Sequence, residues 1–154
     1  MEEETKQWID RYMGAYLRVT RRINAEIRDH LGESLTNDQY QILRLVSSMN
    51  PCTSTQLAEV FAVGKSSITA IVNRLVEAGI PQRTRDEADR RQVYLTITEH
   101  GRGVYEAAEA QVYKIVTPYL QMFDEKDVEK FITLFERLDE LMQEGKPSEN
   151  HTES

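Results

Sequence analysis

TSTQLAEVFAVGKSSITAIVNRLVEAGI, residues 53–80, and QVYLTIT, residues 92–98, decide how this chain folds. In the first stretch Thr53 is followed three residues later by Gln56, a pair that can satisfy two orphan amides at a helix start. The helix opening there carries Leu57, Val60 and Phe61 on one face and runs into Ala62-Val63-Gly64, where Gly64 suits both a tight turn and an N-cap. A second helix is expected from about Lys65 to Ala78, because Ile68, Ile71, Val72 and Leu75 recur at the spacing of one buried stripe. Gly79 stands where such a helix stops.

Beyond Gly79 the period changes to two. Ile80 with Arg83-Thr84-Arg85, and then Val93, Leu95 and Ile97, alternate apolar with polar residues as half-buried strands do. A hairpin is the economical reading. Its tip, Asp86-Glu-Ala-Asp-Arg-Arg91, is too long for a two-residue turn and rich in charge, so it should project as a mobile loop. Pro81 cannot donate to a ladder, so the first strand is an edge or begins at Gln82. Helix, turn, helix and hairpin in that order read as a winged helix-turn-helix. The outer face of the second helix carries Lys65, Ser66, Thr69, Ala70 and Asn73, which are groups suited to base edges and phosphates in a major groove. The bland alternative is a merely solvated face.

Residues Leu57-Ala58, Val63-Gly-Lys-Ser-Ser-Ile-Thr69, Asn73-Arg-Leu75, Gly79-Ile80, Arg83, Asp89-Arg-Arg91 and Leu95-Thr-Ile-Thr98-Glu-His-Gly101 together resemble the MarR family of bacterial transcriptional regulators. The Asp-Arg-Arg wing followed by a strand and a Thr-capped helix is the most specific part. Gly64 stands where the family often has Ser or Asp, and Pro81 where an apolar or acidic residue is more usual. The resemblance implies a mainly α fold with a small β-hairpin wing, namely a winged helix-turn-helix plus N- and C-terminal dimerisation helices. It implies a sequence-specific binder of double-stranded DNA, a ligand-responsive repressor acting as a homodimer on a pseudo-palindromic operator.

Residue by residue, Lys65, Ser66 and Ser67 at the start of the recognition helix suit phosphate, and Thr69, Ala70 and Asn73 suit bases. Arg74 is ambiguous between bracing the wing and touching the backbone. Arg85 is an exposed cation of the wing. Arg91, and with it Arg90, is expected in the minor groove, where arginine meets enhanced negative potential. Asp89 is read as pinning a wing arginine by a charge-assisted hydrogen bond. Tyr12, Tyr16, Tyr40 and Tyr105 could line a pocket for a small lipophilic or phenolic effector, as in some family members; core packing is the plainer role of each. Cys52 could serve as an oxidation sensor, but it lies in the loop after Pro51, whereas the family's peroxide sensors carry their cysteine near the start of the first helix.

The flanking segments read as long amphipathic helices. From about Glu4 to His30, Ile9, Tyr12, Tyr16, Val19, Ile23 and Ile27 form one stripe; Gly32 and the capping pattern Thr36-Asn-Asp-Gln39 separate it from a helix near Asn37–Met49, ended by Asn50-Pro51. Thr98 caps a helix bearing Val104, Ala108, Val112, Ile115 and Val116, which Pro118 should kink or end. Asp124 caps the last, with Val128, Phe131, Ile132, Phe135, Leu138, Leu141 and Met142, closed by Gly145. One small winged domain cannot cover three such stripes, so the terminal helices are expected to pack on a second subunit about a two-fold axis. The organisation expected is a single domain over 1–146, with 1–35 and 99–145 as dimerisation region and 37–98 as DNA-binding lobe, followed by a polar tail, 147–154.

The 154-residue chain carries a net charge of -7, which argues against a nucleic-acid partner until its distribution is considered. Residues 99–154 alone balance at -7, while residues 64–92 hold six basic and four acidic residues. Only the local charge need be positive at a DNA face. No run reaches the ~20 apolar residues of a membrane span, and the N-terminus lacks the regions of a signal peptide, so a cytoplasmic location is expected. A single cysteine allows no internal disulfide. His30, His100 and His151 show no metal-ligand spacing, and no phosphate loop, nucleophile elbow or catalytic carboxylate pair is present; neither metal, cofactor nor enzymatic activity is expected. The competing function is a winged-helix protein-interaction module, which should expose an apolar patch on the recognition face rather than Lys65, Asn73, Arg85, Arg90 and Arg91.

Overall fold

A computed structural model describes residues 1–31, 35–49, 51–89 and 91–145. Gly32, Asn50, Arg90 and the tail lie outside the described residues. The element order is α1 (Glu2–Leu31), α2 (Asn37–Ser48), α3 (Ser54–Phe61), α4 (Lys65–Glu77), β1 (Pro81–Arg85), β2 (Val93–Ile97), α5 (Glu99–Leu120) and α6 (Glu125–Gln143). The chain divides into two compact units, Met1–Ile115 and the part from Val116 onward.

Local chemistry explains where the helices of the first unit begin. Thr36 and Thr53 each accept the backbone N–H of the Gln three residues on, and each Gln side chain accepts the cap residue's own N–H, so both capping boxes are closed. The turn between α3 and α4 is made differently from the sequence expectation. Ala62 takes the left-handed conformation, with φ at 52°, while Gly64 sits extended at φ -66° as the N-cap of α4. The glycine's conformational freedom is therefore not what closes this turn. Gly79 does use it, with φ at 74°, to end α4 and admit β1.

Ile68, Val72 and Leu75 of α4 are buried against Leu57 of α3, Ile42, Leu43 and Val46 of α2, Leu95 of β2 and Tyr105 and Ala108 of α5. Ile71 packs only partly. Val60, expected on the inner face of α3, is exposed, because Leu57 and Ala58 set the buried arc and Val60 falls past its edge. The hairpin is antiparallel with Pro81 opposite Ile97, Arg83 opposite Leu95 and Arg85 opposite Val93. Pro81 is itself the first residue of β1, and β1 is an edge strand of the two-stranded sheet, the first of the two alternatives its proline allows. Cys52 is not simply in a loop: its carbonyl accepts the N–H of Leu95 at 2.7 Å, adding a one-residue bridge on the far side of β2.

Thr98 joins α5 to the wing. Its hydroxyl accepts the Gly101 N–H at 2.9 Å and offers its one proton to the carbonyls of Gly79 and Ile80, at 2.6 and 2.9 Å, while its own amide donates to Ile80. A Cβ on Gly101 would lie 1.9 Å from the Ile80 oxygen. The Thr-x-x-Gly spacing thus combines an N-cap with a close backbone approach that only glycine permits.

α5 passes through Pro118 and continues to Leu120, so the proline lies inside the last turn instead of ending the helix at once. In the second unit Asp124 is the N-cap residue of α6, although its side chain makes no capping bond, and Gly145 follows the helix with φ at 100°. None of α6 is buried.

Candidate nucleic-acid interface

The face of α4 opposite Ile68, Val72 and Leu75 is exposed from end to end: Lys65, Ser66, Ser67, Thr69, Ala70, Asn73 and Arg74 all face solvent. Gly64 offers no side chain to cap α4. The first-turn amides are therefore not taken by a capping side chain, and that end of a helix favours an anion. Thr69 donates its hydroxyl proton to the Lys65 carbonyl at 2.8 Å, which leaves its methyl and its oxygen lone pairs outward.

The contact joining the helix to the wing comes from residues that sequence reasoning assigned otherwise. Nη2 of Arg83 donates to Oδ1 of Asn73. Because strand side chains alternate, Arg83 shares a hairpin face with its cross-strand partner Leu95, which is buried. That face is the one turned toward α4. Arg74, the residue singled out as a possible brace, makes no such contact among the described residues. Arg83 was legible only as part of the family resemblance; its role depends on a hairpin register that spacing alone does not reveal.

The wing is organised by its acidic residues. Asp86 Oδ1 accepts the Ala88 N–H at 3.0 Å, and Asp89 Oδ1 accepts the Arg91 N–H at 3.1 Å. The main-chain amide of Gln92 adds a bond to the Asp89 carbonyl, and that of Asp86 one to Gln92. Asp89 thus holds the backbone of Arg91 through an Asx turn, and among the described residues it makes no bond to a wing guanidinium. Arg90 lies outside the described residues. Tyr94 supports the loop, its hydroxyl lying 3.1 Å from Asp86 and 2.9 Å from Gln92 oxygens, and the bond to Asp86 raises its pKa above the ordinary tyrosine value. Arg85 and Arg91 are exposed.

The four tyrosines fall into two separate pairs. Tyr12 and Tyr16 stack on each other along α1 at 5.9 Å between ring centroids, and both are about half exposed. Tyr40 and Tyr105 stack at 6.0 Å inside the core. Tyr105 donates to Glu109 at 2.8 Å, and Tyr113 reaches the same oxygen at 3.2 Å. Burial first, and then this carboxylate, push the Tyr105 phenol well above its usual range; Tyr40 is raised by burial and by the charge of Glu109. Cys52 is fully buried, and burial pushes its thiol up as well. Burial and a raised pKa both disfavour the reactive thiolate. Among the described residues no group of His, Cys, Asp or Glu is placed to hold a metal, and no helix is long and apolar enough to cross a membrane.

Comparison with known proteins agrees with this geometry. A sequence profile of the MarR family matches residues 35–93. The HTH-type transcriptional regulator YpoP of Bacillus subtilis is 30% identical over 122 residues, which cover 79% of this chain and 86% of that protein. The homoprotocatechuate degradative operon repressor of Escherichia coli is 24% identical over 120 residues, 76% of this chain and 81% of the relative. Among solved structures, the transcriptional regulator BldR of Sulfolobus solfataricus is 27% identical and superposes with a TM-score of 0.71, covering 92% of this chain and 96% of that one. With its closed capping boxes, exposed recognition face and Asp-ordered wing, the chain belongs to the MarR family of DNA-binding transcriptional regulators.

Proposed function

We propose that the protein is a cytoplasmic, ligand-responsive repressor that binds a pseudo-palindromic operator as a homodimer. The observation that carries this reading is the continuity of the outer face of α4 with the first wing strand through Asn73 and Arg83. Lys65, Ser66 and Ser67 meet phosphates, Thr69, Ala70 and Asn73 meet base edges in the major groove, and Arg85 and Arg91 serve the wing, with Arg90 beside them. Asp89 orders Arg91 instead of meeting DNA itself. Two copies place their recognition helices about one helical turn, ~34 Å, apart.

The exposed apolar residues support a dimer. In α1, Trp8, Ile9, Tyr12, Met13, Tyr16 and Leu17 are exposed; in α6, Phe131, Leu134, Phe135 and Leu138 are. Patches of this kind mark interaction surfaces. Residues 1–35 and 99–145 then form the dimerisation region and 37–98 the DNA-binding lobe. The repressor's name borne by the E. coli relative supports repression here. Of the four tyrosines, exposed Tyr12 and Tyr16 are the better placed to meet a small lipophilic or phenolic effector, which would favour a dimer with wrongly spaced helices.

Exposure of Val60 and Val63 beside the turn favours a second reading, a protein-interaction module. Fluorescence anisotropy against the chain's own promoter region, over a salt series with unrelated DNA as control, separates the two. Tight, specific binding that weakens steeply with salt is expected for the repressor. Equal weak binding to both DNAs would favour the interaction module.

A further inference from the structure

The engagement of Asn73 by Arg83 has a chemical consequence for base reading. A guanidinium has donors and no acceptor, so the amide atom facing it is the oxygen. The two hydrogens of Nδ2 and one lone pair of Oδ1 are then what Asn73 has left to offer. An asparagine that reads adenine uses both ends of its amide, the oxygen accepting from N6 and the nitrogen donating to N7. The oxygen keeps a second lone pair, but a guanidinium charge and its donors beside it disfavour the approach of another donor such as N6. The remaining N–H groups belong to the same guanidinium beside the amide, so donors outnumber acceptors on the pair. Guanine shows two acceptors, O6 and N7, in the major groove and is the purine that matches two donors. Thr69 and Ala70, four and three residues before Asn73, share its helix face and place it among the residues suited to bases.

We propose that Arg83 is a specificity-determining residue: by holding Oδ1 of Asn73 it makes the recognition face select guanine over adenine at the base pair that Asn73 meets. The proposal rests on the DNA-binding reading of this face and adds to it a base preference and the residue that imposes it.

The test is selection of binding sites from a randomised pool of double-stranded DNA by the full chain, Arg83→Met and Asn73→Ala. Both positions are exposed, and a thermal melt checks that each variant folds. The base pair whose preference disappears in Asn73→Ala is the one that Asn73 reads. At that pair the unaltered chain should prefer guanine over adenine by about tenfold. Arg83→Met, which frees the amide oxygen, should move the preference to adenine while the rest of the operator sequence is kept. Adenine preferred by the unaltered chain would overturn the proposal, as would a profile unchanged in Arg83→Met with affinity lowered alike for all sequences. A profile unchanged in Asn73→Ala would overturn it too, and if Arg83→Met does not fold this variant still decides. Failure of the unaltered chain to enrich any sequence would instead overturn the DNA reading of the face, and the proposal with it.

Discussion

The winged lobe and the last helix are built from similar proportions of apolar residues and end in opposite states. In the lobe, Ile42, Leu43, Leu57, Ile68 and Val72 are wholly withdrawn from solvent, and both capping boxes are satisfied internally. In α6, Phe131 stacks on Phe135 at 5.8 Å, yet the two remain 67% and 46% exposed, and no residue of the helix is buried. The first region completes its core within one chain. The second has an amphipathic stripe whose hydrophobic stabilisation is not realised within its own unit. Amphipathic periodicity therefore identifies a face that must be covered and says nothing about which chain covers it.

Substitutions that treat the two regions alike should separate them. Leu57→Ala, which opens a cavity in a closed core, should lower the free energy of unfolding by about 3 kcal/mol in chemical denaturation. Phe135→Glu should leave α6 helical by circular dichroism but weaken self-association by roughly a hundredfold in sedimentation equilibrium, since a charge would be placed in the core of the proposed dimer interface. Equal losses of monomer stability in both variants would erase the distinction.

Arg91→Ala sharpens the same contrast from the DNA side. Operator affinity should fall roughly tenfold or more with self-association unchanged, and undiminished affinity would remove Arg91 from the proposed wing contact.

The smallest expected effect concerns the lobe's stacked tyrosines. The phenol of Tyr105 is raised in the folded state, so its contribution to stability is fully present below the unfolded value near pH ~10 and is lost as pH climbs through the folded value. Tyr105→Phe should cost about 1 kcal/mol at neutral pH through the lost bond to Glu109, and should flatten the alkaline fall seen by pH-dependent denaturation. An alkaline limb as steep as before would assign it to other groups.

Features set by a few consecutive residues were legible in the sequence. Thr36 with Gln39, Thr53 with Gln56 and Thr98 ahead of Gly101 carry their partners within one helical turn, and the buried stripe of α4 follows from helical geometry. Features requiring a register between distant segments were not. The contact of Arg83 with Asn73 depends on which hairpin face meets α4, and the bridge from Cys52 to Leu95 depends on a third segment arriving beside β2. Ala62 shows a different failure. Propensity favoured Gly64 for the tight turn, yet the path of the chain out of α3 places the left-handed residue two positions earlier, and alanine accepts it at a cost of about 1 kcal/mol. The α4 residues of the candidate site and, among the described residues, its wing arginines are exposed. Its internal wiring, Arg83 to Asn73 and Asp89 to the Arg91 backbone, needed the fold.

The bridge from Cys52 has a bearing on solubility. A two-stranded ribbon is a ready template for strand addition, and its open edges are where foreign chains pair and aggregate. Here the outer edge of β2 is occupied at its centre, since the Leu95 amide is taken by the Cys52 carbonyl. The outer edge of β1 opens with Pro81, which has no amide to lend, and continues with Arg83 and Arg85, whose like charges repel a second copy of the same strand. Projecting a hairpin far enough to touch a ligand leaves it exposed to every neighbour. This one is blunted on both sides.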